Sequence, residues 1–362
     1  MMRSPTRPKA IPVPSKLTLK TLGPLTFGAG TFSGRYDNRD CDPVQLVKAA
    51  YELGIRQFDT SPYYGESETL LGNGLQALFE TGVERDDVFV MTKCGRYDVW
   101  DFDYSPDNIV RSVKMSCKKL HVAYLDVVYL HDVEFVTESQ VDEAAKTLFE
   151  LKSTGLVRHV GISGYPLDVL VKYANAVKTT AGQSLDLILS YSQYNIQNTT
   201  LTKVIPRLLQ EAGVEHVLSA SPLSMGLLRT TGPPEWHPAS AFLKGKVQES
   251  IEYLQSLPPT EQVGKEVAWT LPNVALGFAL RHAPEDGIRS TVIGFTAVSE
   301  IRESVESYWQ SLQPASEASI QARSKVEQGV RQVLGKALDE TWQSPPEMAR
   351  IADPVPSADS GN

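Results

Sequence analysis

The chain has 362 residues, 41% apolar and 22% charged, which is enough for one large domain with a sizeable core and excludes global disorder. Its formal charge of −8 argues against a nucleic-acid-binding surface, and no apolar run approaches the roughly 20 residues that span a membrane. The three cysteines, Cys41, Cys94 and Cys117, are odd in number and lack metal-ligand spacing, so they imply a reducing compartment, read as the cytoplasm, and no disulfide framework.

In chain order, Met1 to Lys16 is basic, carries four prolines and lacks the apolar stretch of a secretory signal; it reads as a disordered tail. Residues 17–342 are expected to form a single domain, with a Pro-rich disordered tail at 343–362. Leu17 to Lys20 alternates and predicts a strand, Leu22-Gly23-Pro24 a turn, and Leu25 to Gly30 a second strand. Asp42 and Pro43 open a helix through Tyr51, which Gly54 ends. Short apolar segments then alternate with helical ones. Strands are predicted at 55–58, 88–93, 126–131, 157–163, 187–193 and 216–221, and helices at 66–79, 106–120, 141–153, 167–177 and 201–212. Gly232 to Pro238 has turn chemistry and predicts a long loop. Helices follow near 246–256 and 274–281, then a last strand at 290–294 and helices at 299–308 and 317–338.

Eight apolar strands alternating with helices imply a parallel sheet covered on both faces, closed as an α/β (β/α)8 TIM barrel. The strand at Leu17 to Lys20 is then surplus and is expected in an extra N-terminal β-hairpin, and the long loop follows strand 7. No G-x-G-x-x-G follows a strand, which weakens the rival open, doubly wound sheet.

In a barrel the C-terminal strand ends share one mouth. That brings together Asp59, Lys93 and His131 from three consecutive strands, with Tyr64 five residues past Asp59. A free tyrosine, with a pKa of about 10, is a poor acid-base catalyst near neutrality. A lysine ammonium beside it favours the phenolate, an aspartate holds that lysine, and a neutral histidine hydrogen-bonds a substrate oxygen. Such a set suits carbonyl reduction or alcohol oxidation. Alone, each residue reads as well as a helix cap, a core phenol, a surface amine or a buried histidine.

The chain resembles the aldo-keto reductases. The resemblance is carried by Phe58-Asp59-Thr60-Ser61-Pro62-Tyr63-Tyr64-Gly65, Leu70-Leu71-Gly72, Thr92-Lys93, Tyr124-Leu125-Asp126, Leu130-His131, Gly155-Leu156-Val157-Arg158, Gly161-Ile162-Ser163 and Ser221-Pro222-Leu223. It implies a barrel that binds an extended nicotinamide cofactor, with Asp59, Tyr64, Lys93 and His131 as the catalytic tetrad. By the same resemblance Ser163 and Gln193 are expected at the nicotinamide carboxamide. Ser221, Leu223 and Gly226 are expected at the pyrophosphate, and Gly294, Thr296 and Glu303 at the adenosine. Three departures stand out. Gly164 replaces a common Asn, Ala220 replaces the aromatic residue that stacks on nicotinamide, and Phe295 and Glu300 replace basic residues that meet a 2′-phosphate. A carboxylate repels that phosphate, so NAD is expected in preference to NADP.

Further segments resemble the branch of D-arabinose 1-dehydrogenases and L-galactose dehydrogenases: His131-Asp132-Val133-Glu134-Phe135, Ile188-Leu189-Ser190-Tyr191, Ala220 to Leu228, and Gly232 to Pro238. That resemblance implies NAD-dependent oxidation of an aldose at C1 to the lactone, in ascorbate or erythroascorbate synthesis, by a monomer or homodimer. Trp236 could cover the sugar and His237 bind a hydroxyl, or Trp236 could only anchor its loop. His131, Asp132 and Glu134 do not read as a metal site, because adjacent strand residues point to opposite faces, and no metal is expected. Cys94 reads as a packed cysteine. The rival functions are an NADPH-dependent reductase of aldehydes and a cofactor-sensing channel subunit.

Overall fold

The computed structural model describes residues 8–34, 42–262, 265–312 and 317–342. The disorder expected for 1–7 and 343–362 concerns residues outside that set, as does Cys41. Seven parallel strands come first: β1 (Leu25–Gly28), β2 (Gln57–Asp59), β3 (Phe89–Cys94), β4 (Leu125–His131), β5 (Val157–Gly164), β6 (Leu187–Tyr191) and β7 (His216–Ala220). A short antiparallel pair, β8 (Thr260–Gln262) and β9 (Lys265–Val267), follows, and β10 (Ile288–Gly294) then closes the barrel in the order β1-β10-β7-β6-β5-β4-β3-β2. The eight barrel strands are those expected from the sequence.

Helices α1 (Pro43–Glu52), α2 (Ser67–Phe79), α3 (Pro106–Lys119), α4 (Glu138–Ser153) and α5 (Leu167–Ala181) cover the first half. Their starts have visible causes. Asp42 accepts from the Val44 and Gln45 amides ahead of Pro43, and Thr137 and Gln140 form a reciprocal capping box. The helix expected at 201–212 is instead a 3-10 turn at Thr200–Lys203 and a π turn at Arg207–Glu211. Pro206 has no amide to donate across that junction. Helices α6 (Ala241–Ser256), α7 (Leu271–His282), α8 (Val298–Leu312) and α9 (Glu317–Leu334) complete the described residues. The long loop expected after strand 7 leads into α6.

The N-terminal hairpin does not form. Thr18 N–H donates to Thr21 Oγ1 at 2.8 Å and closes a 3-10 turn over Leu19–Thr21. That local bonding overrides the alternation that suggested a strand. Leu19 and Leu22, three residues apart, instead pack with Phe89, Val127 and Leu187, the lower residues of β3, β4 and β6, and plug the barrel floor. The segment expected to be tail is also docked from Lys9 onward. Ile11 is buried and donates to Leu53 O, and Trp309 donates to Lys9 O.

Below the mouth, Asp126 accepts from Arg85, Arg158 and the Val90 amide, and both guanidinium groups stack on Tyr124. Those recurrent motif residues therefore clamp the barrel and do no chemistry. Gly72 is a second fixed point. A Cβ there would lie 1.9 Å from Lys119 O, so α2 meets the end of α3 only through glycine. Gly72→Ala is expected to cost about 2 kcal/mol of stability, read from a denaturant midpoint shift with an unchanged slope.

Candidate active site

Strand alternation carries one residue from the end of each barrel strand to the mouth. Asp59, Lys93, His131 and Ser163 come from β2 to β5, and Tyr191, Ala220, Gly294 and Gly28 from β6, β7, β10 and β1. Lys93 follows Met91 and Phe89 at two-residue spacing, His131 follows Tyr129 and Val127, and Tyr191 follows Leu189 and Leu187. Those lower residues fill the barrel. The eight upper ones line a cavity of about 570 Å³. One half of this ring is reactive, and the other is flat or small.

On the reactive half, Lys93 Nζ donates to Asp59 Oδ1 at 2.6 Å and to Thr60 O at 2.9 Å, with both charged side chains almost wholly buried. Burial pushes the Asp59 carboxyl up, against the pull of Lys93, and among the described residues Asp59 Oδ2 has no hydrogen-bond partner. Ser61 opens the 3-10 turn Pro62–Tyr64 by accepting from the Tyr63 amide, which carries Tyr64 back over the lysine. Lys93 Nζ then lies 5.0 Å from the Tyr64 ring centroid, and the Tyr64 and His131 rings meet edge to face at 5.7 Å. The four residues expected as a tetrad are thus brought together.

Burial, then Lys93 and Arg96, hold His131 well below the ordinary histidine range, so its ring is neutral. Its Nδ1 meets Ser61 Oγ at 2.9 Å, and its Nε2 lies 3.5 Å from Asp132 Oδ2. The carboxylate beside Nε2 can only accept, while Ser61 Oγ can donate to Nδ1, so the imidazole proton belongs on Nε2.

Asp132 corrects the sequence reading. It does converge with His131, because it leaves β4 with φ 56° and ends the alternation. Its carboxylate is held by Arg96, and among the described residues no group of three or more His, Cys, Asp or Glu side chains could hold a metal ion. Burial pushes the Asp132 carboxyl up, opposed by Arg96. Arg96 and Asp132 both line the cavity, and neither was singled out as a site residue from sequence. The available signal was a turn glycine. Gly95, at φ 92°, swings the chain after Lys93 so that Arg96 faces the mouth. Cys94 is buried, which pushes its thiol up and fits a packed cysteine.

The cofactor positions divide. Ser163 and Ser221 line the cavity, as does Gly294. Gln193 does not. Its amide donates to Tyr165 O at 3.1 Å and accepts from Asn198 and Thr200, because Ser192 turns the chain at φ 59° after Tyr191. The β6 residue that faces the mouth is Tyr191, in register with Ala220 on β7. Leu223 and Gly226 shape the turn after Ser221 without lining the cavity. The Met225 amide is bonded to Ser221 Oγ, and the Gly226 amide to Leu223 O.

Beyond Gly294, Glu300 Oε2 accepts from the Thr296 amide, the Thr296 hydroxyl and the Ala297 amide, so it caps its own helix. Phe295 is buried against Phe27. Both side chains thus have partners within the protein. Glu303 is exposed, and partial desolvation by its surroundings, then Glu300 and Glu306, push its carboxyl up. Gly164 has its own cause: a Cβ there would lie 2.5 Å from Glu134 Oε2, so the Glu134 carboxylate fills the place of a side chain.

Trp236 lines the cavity, whereas His237 is buried behind it. His237 Nδ1 accepts from the Ala239 amide, so Nε2 carries the proton and donates to Ser224 O at 2.9 Å. Burial lowers its pKa to about 4. The histidine is the anchor of the loop, and the tryptophan is its face toward the cavity.

This fold and this site define an oxidoreductase of a single class: the Aldo/keto reductase family model matches residues 24–324, and the chain belongs to that family. The chain is 35% identical over 331 residues to D-arabinose 1-dehydrogenase of Saccharomyces cerevisiae, covering 90% of this chain and 95% of that protein. It is 37% identical over 302 residues to L-galactose dehydrogenase of Arabidopsis thaliana, covering 80% and 88%. Among solved structures, a glycerol dehydrogenase from Gluconobacter oxydans shares the fold with a TM-score of 0.65 at 20% identity, covering 91% of this chain and 97% of that one. No helix among the described residues is long and apolar enough to cross a membrane.

The buried pair makes a stability prediction. Lys93→Met leaves the Asp59 carboxylate without its counter-ion and is expected to cost about 3 kcal/mol or more. Adding Asp59→Asn removes that charge and should recover at least about 1 kcal/mol in a double-mutant cycle followed by chemical denaturation.

Proposed function

We propose that the chain oxidises the C1 hydroxyl of an aldose hemiacetal to the lactone, with NAD preferred over NADP. The observation that carries this reading is the polar half of the mouth. There a tyrosine set beside a buried lysine adjoins a neutral histidine, and a charged pair suited to hydroxyl groups lies next to them. The names of the two relatives above, one for D-arabinose and one for L-galactose, support the same substrate class. On this reading the chain serves ascorbate or erythroascorbate synthesis.

The residues fit a nicotinamide dinucleotide. The small half of the ring, Gly28, Ala220 and Gly294, leaves open space beside the reactive half, and Ser163 and Ser221 line it. Tyr191 supplies the flat aromatic face that Ala220 lacks, from the neighbouring strand in the same register. When bound, the cofactor supplies the hydride acceptor.

The chain's own residues supply the rest. Tyr64 acts as the phenolate that the Lys93 ammonium stabilises, and it becomes a neutral phenol when it takes the proton of the C1 hydroxyl. Asp59 and Thr60 O fix that ammonium in place. His131 directs its Nε2–H at the C1 oxygen and, made a weak base by burial and by Lys93 and Arg96, does not compete for the proton. Trp236 closes the cavity over the sugar ring.

The NAD preference is supported by the carboxylates of Glu300, Glu303 and Glu306, crowded on the start of α8 against one exposed arginine, Arg302. Added phosphate charge beside them is repelled.

An NAD-linked oxidation screen over free aldoses, with NADP in parallel, is expected to show saturable turnover of D-arabinose, L-galactose or L-fucose. Turnover confined to NADPH and aldehydes would overturn the proposal. Tyr64→Phe is expected to lower kcat by at least about 100-fold with NAD binding intact. Tyr191→Ala is expected to weaken NAD binding by about tenfold in a fluorescence titration without sugar, and an unchanged affinity would remove Tyr191 from this role.

A further inference from the structure

We propose that the buried Arg96–Asp132 pair reads the hydroxyl on the carbon next to the one oxidised, and so selects which sugars are turned over. The inference rests on the aldose reading above. It begins from where the pair lies. Buried ion pairs contribute little net stability, because desolvation offsets their attraction. This one, only 3% and 6% exposed at its side chains, lies on the wall of the cavity and next to the reacting groups.

The unspent hydrogen-bonding capacity of the pair matches a hydroxyl. Arg96 has five N–H groups. Nη1 donates to Asp132 Oδ2, Nη2 to Tyr63 OH and Val99 O at 3.3 Å each, and Nε to Asp98 O at 3.4 Å. Among the described residues, one Nη1 N–H is left over. Among the described residues, Asp132 Oδ2 is taken by Arg96, while Oδ1 makes no hydrogen bond. The pair, which lines the cavity, therefore has one donor and one acceptor to spare. A hydroxyl group both accepts and donates, and a methylene group does neither.

The position of that offer fixes which hydroxyl is read. His131 Nε2, which on the aldose reading meets the reacting oxygen, is 3.5 Å from Asp132 Oδ2. Adjacent hydroxyls on one sugar ring can meet His131 and the pair at once. The pair is also rigid, because the Arg96 guanidinium lies 4.0 Å from the Tyr63 ring centroid and 5.1 Å from those of Phe102 and Phe135. Tyr63, without a role in the sequence reading, becomes the platform for this arginine. A site built around a buried polar pair rejects an analogue that lacks its hydroxyl, because the pair is then left unsatisfied.

The test compares D-arabinose with 2-deoxy-D-ribose, which differs from it only by the missing C2 hydroxyl. The wild-type chain is expected to favour the parent sugar in kcat/KM by at least about 100-fold. Asp132→Asn keeps the side-chain shape and tolerates the left-handed backbone, and it is expected to narrow that ratio by at least about tenfold. Arg96→Lys should narrow it as well and serves if the first variant fails to fold. A wild-type ratio near one overturns the inference while leaving the aldose reading intact. So does an unchanged ratio in a folded variant. Failure of the wild type to oxidise any aldose defeats that reading and this inference together.

Discussion

A lysine ammonium and a carboxylate meet inside the barrel mouth at 2.6 Å, both almost entirely out of water. Taking two ions from water costs several kcal/mol each, and their attraction offsets that only when geometry is fixed and spare hydrogen-bonding groups are satisfied. The barrel meets the first condition. Asp59 and Lys93 are terminal inward residues of neighbouring parallel strands, held in register by the ladder between β2 and β3. The second is met for Lys93 by Thr60 O, and is left open at Asp59 Oδ2. Tyr64 and His131 gain their setting from this pair. One ring lies near the ammonium, and the other is kept neutral by burial and by the nearby positive charge.

The eight strand ends show how the fold divides labour. Below them, large side chains close the barrel to water, with Leu19 and Leu22 as the floor. Above that layer, four consecutive strands present Asp, Lys, His and Ser, and the other four present Tyr, Ala and two glycines. This asymmetry turns a packed tube into a site with a reactive wall and an open wall. The motifs that clamp the lower end, around Asp126, Arg158 and Tyr124, keep the strands staggered without entering the chemistry.

Much of this was legible in the chain. Short apolar runs between amphipathic helices mark parallel strands, and their last inward residues are where a barrel carries chemistry. Asp59, Lys93 and His131 follow from that rule alone. What the sequence concealed lies in the turns that flank the strands. Gln193 looks like a continuation of β6, but the strand ends at Tyr191 and the glutamine turns into a loop network. Asp132 looks like an outward neighbour of His131, yet it shares the cavity. Leu17 to Lys20 has strand alternation, but two threonines bond locally and make a turn. Glu300 reads as a cofactor contact, and the structure adds that its carboxylate caps its own helix.

Two of these misreadings share one physical device with the turn after β7. Asp132, Ser192 and Ser221 directly follow the last residues of β4, β6 and β7, and all three are non-glycine residues with φ of 56°, 59° and 63°. Left-handed backbone at such residues costs of order 1 kcal/mol or more each, and Asp tolerates it better than most. The strain does structural work, because it breaks the two-residue alternation at the rim. At β4 and β7 two consecutive side chains, His131 with Asp132 and Ala220 with Ser221, can then face the same cavity. At β6 the reversed turn sends the chain away and leaves Tyr191 as the last side chain toward the mouth. A straight strand offers one residue per end. The strained exits let the rim offer either more or fewer, and they add the Arg96–Asp132 pair to the group of residues beside His131.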